Sequence, residues 1–297
     1  MTPGPLPLPP VPAPFQLPFH YGALHHIGLD FLVDPEPVRE LLARHHPALS
    51  VAEFDGRALV SLNYQLYFAQ YSFGGGITQE IECNIVAFPT GAAGRLPHLT
   101  YEEYAHGYDQ TKLLGIARIH VLCDNPFAID AGRKLYAEPK YPGWFETTMP
   151  SLNGPRGDAW SVRCKKASPG PDGESITRHE ADLFSFVADL TGLDHTPANS
   201  TPITGYGTDE GGRALAGPMN VYQPYRQYTL GPATTARVRL IVHDTTAEAG
   251  QDLTRLIGQT PAAGAWTYQS PPVAAHNRPY YLGSAPKPGE GASAAAP

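Results

Sequence analysis

One lysine in this sequence has the surroundings of a nucleophile. The chain holds six lysines, and five of them lie among polar neighbours, beside a Pro/Gly loop or near the carboxyl terminus. Lys140 instead lies in an extended run between two prolines, beside Tyr136, Tyr141 and Trp144. Aromatic neighbours shield an amine from water, and a desolvated lysine has a lowered pKa and attacks carbonyl carbon. Spacing alone leaves a surface lysine with a snorkelling side chain as the simpler interpretation.

Two carboxylates share one face of a predicted strand. Residues 77–88 alternate between apolar and polar types, which is the period of a half-buried strand. Glu80 and Glu82 fall on one face together with Asn84, opposite the apolar residues. A buried carboxyl group has a raised pKa and carries protons in catalysis, so this face is a second place where chemistry is expected.

The elements that position these residues are mostly strands. Asp34 followed by Pro35 predicts a helix over 35–46, and Thr100 with Glu103 forms a capping-box pattern that opens a helix to about residue 110. Strands are predicted over 57–68, 77–88, 116–123, 160–164, 175–183, 237–243 and 265–276, and further helices over 127–135, 184–191 and 248–257. With 30 Gly and 32 Pro and no βαβ rhythm, this order indicates an antiparallel sheet or barrel with peripheral helices.

The composition divides the chain into three parts. Residues 1–19 carry a proline at every second or third position and form a Pro-rich N-terminal arm with no core of its own. Residues 285–297 are a flexible tail of Pro, Gly, Ser and Ala. The folded domain is therefore expected to span 20–284.

Several classes of function are not expected. The net charge of -7, with scattered basic residues, argues against a nucleic-acid partner. Cys83, Cys123 and Cys164 are an odd number without metal-ligand spacing, which argues against disulfides and structural zinc. The chain shows neither a signal peptide nor an apolar run of about 20 residues, so a cytoplasmic protein without a membrane partner is expected.

Other polar motifs have simpler explanations. The pairs His25–His26 and His45–His46 lack helical i, i+4 spacing with a nearby acid, so no metal site is predicted. The glycine runs at 74–76 and 205–212 predict a hairpin turn and a flexible surface loop, respectively. No serine lies in a GxSxG elbow, and a serine hydrolase is not expected.

The segment DNPFAIDAGRKLYAEPKYPG, residues 124–143, resembles the signature of the acetoacetate decarboxylase superfamily, in which a D-N-x-x-A-I-x-x-G-R-E run leads into a P-K-K triplet. The matching positions are Asp124, Asn125, Ala128, Ile129, Gly132, Arg133, Pro139 and Lys140. Residues 31–42 are similar to the family's early strand-to-helix passage, and Glu80 lies where the family carries a pocket glutamate. The resemblance is clear over about residues 24–145.

This resemblance implies an α+β fold, an antiparallel cone-shaped β-barrel with peripheral helices, in a homo-oligomer without metal or organic cofactor. Lys140 falls on the family's Schiff-base lysine, so it is expected to form an iminium with a small-molecule keto acid, and Glu80 is expected to carry protons. Loss of carbon dioxide from a β-keto acid would make the protein a decarboxylating lyase. The candidate substrate-binding residues are Glu138, Tyr141, Glu82, Arg133 and Trp144.

Three positions depart from the decarboxylase pattern. Tyr141 replaces the second lysine of the pair, Leu24 stands in place of an early arginine, and Glu138 stands where a tyrosine is usual. Residues two apart share a face of an extended segment, so Glu138 is expected beside Lys140, where it would favour the ammonium form. Two alternatives therefore stay open: an iminium-forming aldolase-dehydratase or cyclase of secondary metabolism that acts on a larger keto acid, and a non-catalytic small-molecule-binding member of the fold.

Overall fold

Long segments of alternating apolar and polar residues form one extended sheet. The computed structural model describes residues 8–71, 74–154, 157–199 and 203–271, and fifteen strands within these ranges belong to the sheet. The strands are β1 (His20–Val33), β2 (Leu49–Val51), β3 (Glu53–Phe54), β4 (Arg57–Tyr71), β5 (Gly74–Pro89), β6 (Gly115–Cys123), β7 (Lys140–Thr148), β8 (Ala159–Pro169), β9 (Ile176–Asp189), β10 (Thr196–Ala198), β11 (Ile203–Thr208), β12 (Ala214–Met219), β13 (Tyr225–Thr229), β14 (Val238–Val242) and β15 (Gly264–Gln269).

The strands pair in the order β10-β13-β15-β1-β4-β5-β6-β7-β8-β9-β14, and β2, β3, β11 and β12 attach beside this path. Neighbours are antiparallel except at β6, which runs parallel to both β7 and β11. The path does not close on itself, so the sheet forms an open, cone-shaped barrel. The predicted barrel with peripheral helices is confirmed. It is antiparallel except that β6, which pairs antiparallel with β5, is parallel to β7 and β11.

Four α-helices pack around the sheet within the described residues: α1 (Pro35–His45), α2 (Tyr101–Ala105), α3 (Pro126–Tyr136) and α4 (Glu248–Leu256). The Asp34 side chain accepts a hydrogen bond from the Glu36 amide at 3.0 Å and caps α1, as predicted. Val38, Leu41 and Leu42 of α1 are buried in the core. None of the helices in the described ranges is long and apolar enough to span a membrane.

Four local predictions are wrong. Residues 184–191 were expected to be helical, but β9 runs through to Asp189 because the buried Phe184 and Phe186 alternate with half-buried residues and pair with β8 and β14. Helix α2 ends at Ala105, before Gly107 with its positive φ of 85°. The stretch 205–212 was expected to be a surface loop, but β11 fills residues 203–208. The glycines at 74–76 were expected to form the turn of a hairpin, but they are the first three residues of β5 and pair with the end of β4. The hairpin between β4 and β5 is present.

The Pro-rich arm is anchored by one aromatic residue. Phe15 is buried against Ala131 and Leu135 of α3, and its ring lies 5.1 Å from that of Phe127. The arm thus covers the helix that leads to Lys140. Residues 1–7, the predicted tail at 285–297 and the end of the strand predicted over 265–276 lie outside the described residues.

Candidate active site

A β-bulge in β6 decides which side chains meet on each face of the sheet. Cys83 of β5 pairs with His120, and Asn84 pairs with Arg118, so Ile119 is an extra residue without a partner. Residues two apart in a regular strand share a face, but an extra residue breaks this alternation. Arg118 and His120 therefore join two different groups of polar side chains, on opposite faces of β6.

The first group, which we call the lysine cluster, consists of Lys140, Glu80, Glu82, Glu138 and Arg118. Lys140 Nζ lies 2.5 Å from a Glu80 oxygen and 3.5 Å from a Glu138 oxygen. Arg118 Nε lies 2.8 Å from Glu82, and its Nη1 lies 3.5 Å from Glu138. These five side chains are only 5% to 9% exposed, so their charges must balance one another. Three carboxylates against two cations leave one negative charge in excess.

The two neighbouring glutamates of β5 have opposite electrostatic surroundings. Burial raises the pKa of Glu80 above its ordinary value, and the charge of Lys140 only partly offsets this. Gln65 and the Tyr67 hydroxyl also donate hydrogen bonds to Glu80, at 2.6 and 2.9 Å. Burial acts in the same direction on Glu82, but Arg118 outweighs it and the pKa of Glu82 is lowered. Such a division is typical of sites in which one carboxyl group moves protons and the other stays charged.

The amine of Lys140 is charged at rest. Burial alone would lower the pKa of Lys140, as the sequence suggested, but the carboxylates of Glu80 and Glu138 outweigh burial and raise it well above its ordinary value. The expected pairing of Glu138 with Lys140 is present at 3.5 Å. Nucleophilic chemistry at Lys140 therefore requires a proton acceptor in direct contact with the amine, and Glu80 has that position.

Two glycines allow the backbone to approach the lysine cluster. A Cβ on Gly132 of α3 would lie 2.4 Å from Glu138 Oε2 and 2.7 Å from Lys140 Cδ. A Cβ on Gly205 of β11 would lie 2.5 Å from Arg118 Nη1. Only glycine fits at either position without displacing a charged side chain. Gly205 lies in the stretch that the sequence had assigned to a loop.

The structure brings four of the seven predicted site residues together: Lys140, Glu80, Glu82 and Glu138. Arg133 is exposed and donates a hydrogen bond from Nε to the Lys140 carbonyl at 2.5 Å, so it contacts the backbone of the strand. Trp144 lies apart, with Lys165 Nζ 4.6 Å from the centre of its ring and its indole N–H bonded to the His179 carbonyl. The Tyr141 hydroxyl is hydrogen-bonded to His120 Nδ1 at 3.1 Å, on the face opposite the Lys140 amine.

Sequence reasoning missed Arg118, Gln65 and Tyr67. Arg118 is the one basic residue besides His120 in the apolar run of β6, which was a usable signal. The pairing of Arg118 with Glu82 was not predictable. Regular alternation would have placed Arg118 and His120 on the same face of β6, and the β-bulge separates them. Gln65 and Tyr67 lie on alternate positions of β4, and Gln65 pairs directly with Glu80 in the ladder.

The second group, which we call the histidine cluster, consists of His45, His120, Tyr141, Glu248 and Asp252. His120 Nε2 lies 2.9 Å from Asp252 Oδ2. His45, Glu248 and Asp252 each offer a ligand atom, and these atoms lie within 4.8 Å of one another. A cavity of about 220 Å³ borders this cluster. These are residues that could hold a metal ion, and sequence reasoning had set His45 aside.

The comparisons with known proteins give matches among solved structures alone. No protein-family model and no curated protein sequence matches the chain. The enduracididine biosynthesis enzyme MppR, complexed with the condensation product of pyruvate and imidazole 4-carboxaldehyde, superposes with a TM-score of 0.55 at 12% identity, over 85% of each chain. MppR complexed with pyruvate superposes with a TM-score of 0.54 at 12% identity, over 89% of this chain and 88% of that one.

An acetoacetate decarboxylase is also similar. The enzyme from Legionella pneumophila subsp. pneumophila str. Philadelphia 1 superposes with a TM-score of 0.50 at 12% identity, over 89% of this chain and 88% of that one. Identities this low show the fold alone. The resemblance to the acetoacetate decarboxylase superfamily is thereby confirmed at the level of fold.

Proposed function

We propose that this chain, which shares its fold with acetoacetate decarboxylase and MppR, is an enzyme that forms a Schiff base between Lys140 and a keto acid. The observation that carries the proposal is the buried contact of 2.5 Å between Lys140 Nζ and Glu80 Oε2. It joins a potential nucleophile directly to a carboxylate whose pKa is raised by burial. The pair can therefore exchange one proton without help from solvent.

The first step is proton transfer from Lys140 to Glu80. A substrate that enters the site displaces water, and loss of water penalises the ion pair more than the neutral amine and acid. The neutral amine then attacks the carbonyl carbon of the substrate. Glu80, now protonated, returns a proton to the carbinolamine oxygen, water leaves, and an iminium remains on Lys140.

The charges of the lysine cluster stabilise the iminium. An iminium has the same positive charge as the resting ammonium group of Lys140, and it lies at the same nitrogen. The carboxylates of Glu80 and Glu138, which raise the pKa of Lys140, therefore also favour the cationic intermediate. In this mechanism, the same two carboxylates disfavour the free amine of Lys140 and stabilise the iminium that forms from it.

Arg118 is the proposed partner of the substrate carboxylate. Its Nε is bonded to Glu82 and its Nη1 lies 3.5 Å from Glu138, so a substrate carboxylate would bind at Nη2 or take the place of Glu138 at Nη1. Glu138 lies 3.5 Å from Arg118 through one oxygen and 3.5 Å from Lys140 through the other, so one carboxylate group spans the distance between the two cations. A keto acid has its carbonyl and carboxylate similarly close together. It would therefore present the first to Lys140 and the second to Arg118.

Decarboxylation of a β-keto acid is the first candidate reaction. The electrons of the breaking C–C bond pass into the iminium and carbon dioxide leaves. Glu80, which takes up a proton from solvent after the dehydration step, then delivers it to the carbon of the resulting enamine. This would place the protein among the carbon-carbon lyases. By the same resemblance we expect it to work as a homo-oligomer.

A second candidate reaction keeps the carboxylate in place. Glu80 removes a proton next to the iminium, which gives an enamine that still carries the carboxylate and that can add to a second carbonyl compound and lose water. Arg118 favours this aldol-dehydration route, because a carboxylate held by a buried guanidinium loses a strong contact if it leaves as carbon dioxide. Release of carbon dioxide from substrate separates the two candidates.

The test is borohydride trapping. The protein is incubated with a panel of α- and β-keto acids, reduced, digested and analysed by mass spectrometry, and we expect an adduct on Lys140 in the wild type and none in Lys140→Ala. Lys165→Ala is the matched control, because Lys165 is equally buried, at 5% exposed, and also contacts two glutamates. It should keep the adduct on Lys140.

If no panel member labels Lys140 while an acetoacetate decarboxylase is labelled under the same conditions, the proposal is wrong. The chain would then be a small-molecule-binding protein with this fold. Equal labelling of Lys140 and Lys165 would also contradict it, because the reactivity would then reflect exposure to reagent rather than the contact with Glu80.

A further inference from the structure

The carboxyl end of α1 meets α4 behind β7, and three side chains with metal-binding groups converge there. Glu248 and Asp252 lie four residues apart in α4, so they project from the same side of the helix. His45 is the last residue of α1. One ligand atom from each of the three lies within 4.8 Å of the other two, so small side-chain movements would bring all three around a single ion.

The charges of this group are only partly balanced by the protein, since Arg44 acts on Asp252 without forming an ion pair with it. In the described ranges, no lysine or arginine forms an ion pair with Glu248 or Asp252, and the one ion-pair contact of Asp252 is with His120. The lysine cluster, by contrast, contains two cations for three carboxylates. A divalent cation would supply the missing positive charge between α1 and α4.

A chain of hydrogen bonds fixes one of the three groups from behind. The Tyr141 hydroxyl lies 3.1 Å from His120 Nδ1, and His120 Nε2 lies 2.9 Å from Asp252 Oδ2. This contact occupies one oxygen of Asp252 and leaves Oδ1 free to bind a ligand. Ligating carboxylates in metal sites are commonly held in this way by an outer residue. The arrangement explains why the buried His120 has the half-buried Tyr141 as a polar neighbour on a face otherwise lined by core residues.

There is also room for water or a further ligand beside the three groups. The lining of the cavity of about 220 Å³ includes His45, Glu248, His120 and Tyr141, together with Ile119, Arg133, Pro139 and Lys140. His45 itself makes no hydrogen bond to any side chain in the part of the chain that the structure describes, so its imidazole is available. Three protein ligands with adjoining open space are the pattern of a site that completes its coordination with water.

We propose that His45, Glu248 and Asp252 bind one divalent transition-metal ion. One imidazole nitrogen with two carboxylate oxygens is a mixed ligand set that suits Zn²⁺ or Mn²⁺ better than Mg²⁺ or Ca²⁺, which prefer oxygen alone. The site lies on the opposite face of β7 from the Lys140 amine. The ion links α1 to α4 and to β6 and β7 through His120 and Tyr141, so its role is to stabilise the scaffold and not to take part in the reaction at Lys140.

The test measures binding and stability on the full chain. The protein is stripped with a chelator, loaded with Zn²⁺, desalted and analysed by elemental mass spectrometry, and we expect one equivalent per chain. Zn²⁺ in excess should raise the melting temperature, because a ligand that binds the folded state alone stabilises it. Mg²⁺ at the same concentration should not.

The variants His45→Ala and Glu248→Gln should raise the Kd for Zn²⁺ more than about tenfold, and His98→Ala should leave it unchanged. Glu248 is exposed, so Glu248→Gln keeps the fold even if His45→Ala does not. The matched control His98→Ala removes a histidine outside this group. Less than one equivalent in the wild type, or equal affinity in Glu248→Gln and His98→Ala, would overturn the proposal.

Discussion

The lysine cluster and the histidine cluster use adjacent residues of the same strands and yet differ in burial. Lys140 and Tyr141 are consecutive in β7, Arg118 and His120 flank the extra residue of β6, and each pair divides between the two faces. Every carboxylate of the lysine cluster is more than nine-tenths buried, and arginine and lysine accompany them. In the histidine cluster Glu248 stays exposed. Within these two clusters, the carboxylates that contact a lysine or arginine are buried, whereas Glu248, which has no ion pair among the described residues, remains in solvent, because an unpaired buried charge is far more costly.

The largest effect is expected from removing a cation of the lysine cluster. Arg118→Met leaves Glu82 and Glu138 buried without a guanidinium, so the free energy of unfolding should fall by about 3 to 5 kcal/mol. Arg163→Met is the control, because Arg163 is 50% exposed in its ion pair with Asp182 and should cost less than about 1 kcal/mol. Urea denaturation measures both. Equal losses in the two variants would remove the contrast between buried and exposed charges.

Removing the proton acceptor of Lys140 should come next. Glu80→Gln is expected to lower the rate of Schiff-base formation at neutral pH by about 100-fold or more, because the amine loses the base in direct contact with it and the remaining carboxylate, that of Glu138, lies 3.5 Å away. In the wild type, the rate should fall as the pH drops through the raised pKa of Glu80, since the protonated acid accepts nothing. In Glu80→Gln this acid limb should vanish, and the rate should rise only as the pH approaches the pKa of Lys140.

Glu82→Gln is the matched control for Glu80→Gln. The pKa of Glu82 is lowered and its contact is with Arg118, so this variant should keep the acid limb of the profile. Borohydride trapping at a series of pH values measures all three proteins. Loss of the limb in Glu82→Gln but not in Glu80→Gln would assign proton transfer to the other carboxylate.

A smaller effect is expected where a helix touches the lysine cluster. Glycine to alanine inside a helix ordinarily stabilises a protein by up to about 1 kcal/mol. Gly132→Ala should instead destabilise it by about 1 to 3 kcal/mol, since the new methyl group would overlap the Glu138 carboxylate and the Lys140 chain. Gly94→Ala, where the added Cβ meets nothing within 4 Å, is the control. If Gly132→Ala stabilised the protein, the prediction would be wrong, because the Glu138 and Lys140 side chains would then move aside without a loss of free energy.

The smallest effect is expected in the histidine cluster. Tyr141→Phe removes a hydroxyl bonded to His120 and should cost about 1 kcal/mol of unfolding free energy, the ordinary worth of one hydrogen bond. Tyr222→Phe is the control, because Tyr222 is 78% exposed. Measured in chelator, the two variants isolate the hydrogen bond from any metal. A loss of several kcal/mol in Tyr141→Phe would contradict the prediction, because a change in the histidine cluster would then destabilise the protein as much as a change in the lysine cluster.

Local sequence patterns predicted the elements that depend on local chemistry. Asp34 with Pro35 begins α1, and the alternation around Glu80 and Glu82 forms β5 with both glutamates on one face. Lys140 and Glu138 meet as their spacing indicated. These features depend on residues within a few positions of one another, so the sequence alone was sufficient.

Features that depend on distant partners were not predictable. Residues 184–189 were expected to be helical, and pairing with β8 and β14 makes them a strand. Gly205 looks like a loop residue until the Arg118 side chain is seen against it. His45 meets Asp252 only because α1 and α4 pack side by side. These contacts join residues that are far apart in the sequence, so no pattern within a few residues predicts them.

The extra residue in β6 matters to anyone who would redesign this protein. Before Ile119 the even-numbered position 118 faces the lysine cluster, whereas after it the odd-numbered positions 121 and 123 do, since they pair with Glu82 and Glu80. A mutant library aimed at the substrate side must therefore change from even to odd numbering at Ile119. Randomising alternate codons along the whole strand would instead spend half of its diversity on the scaffold.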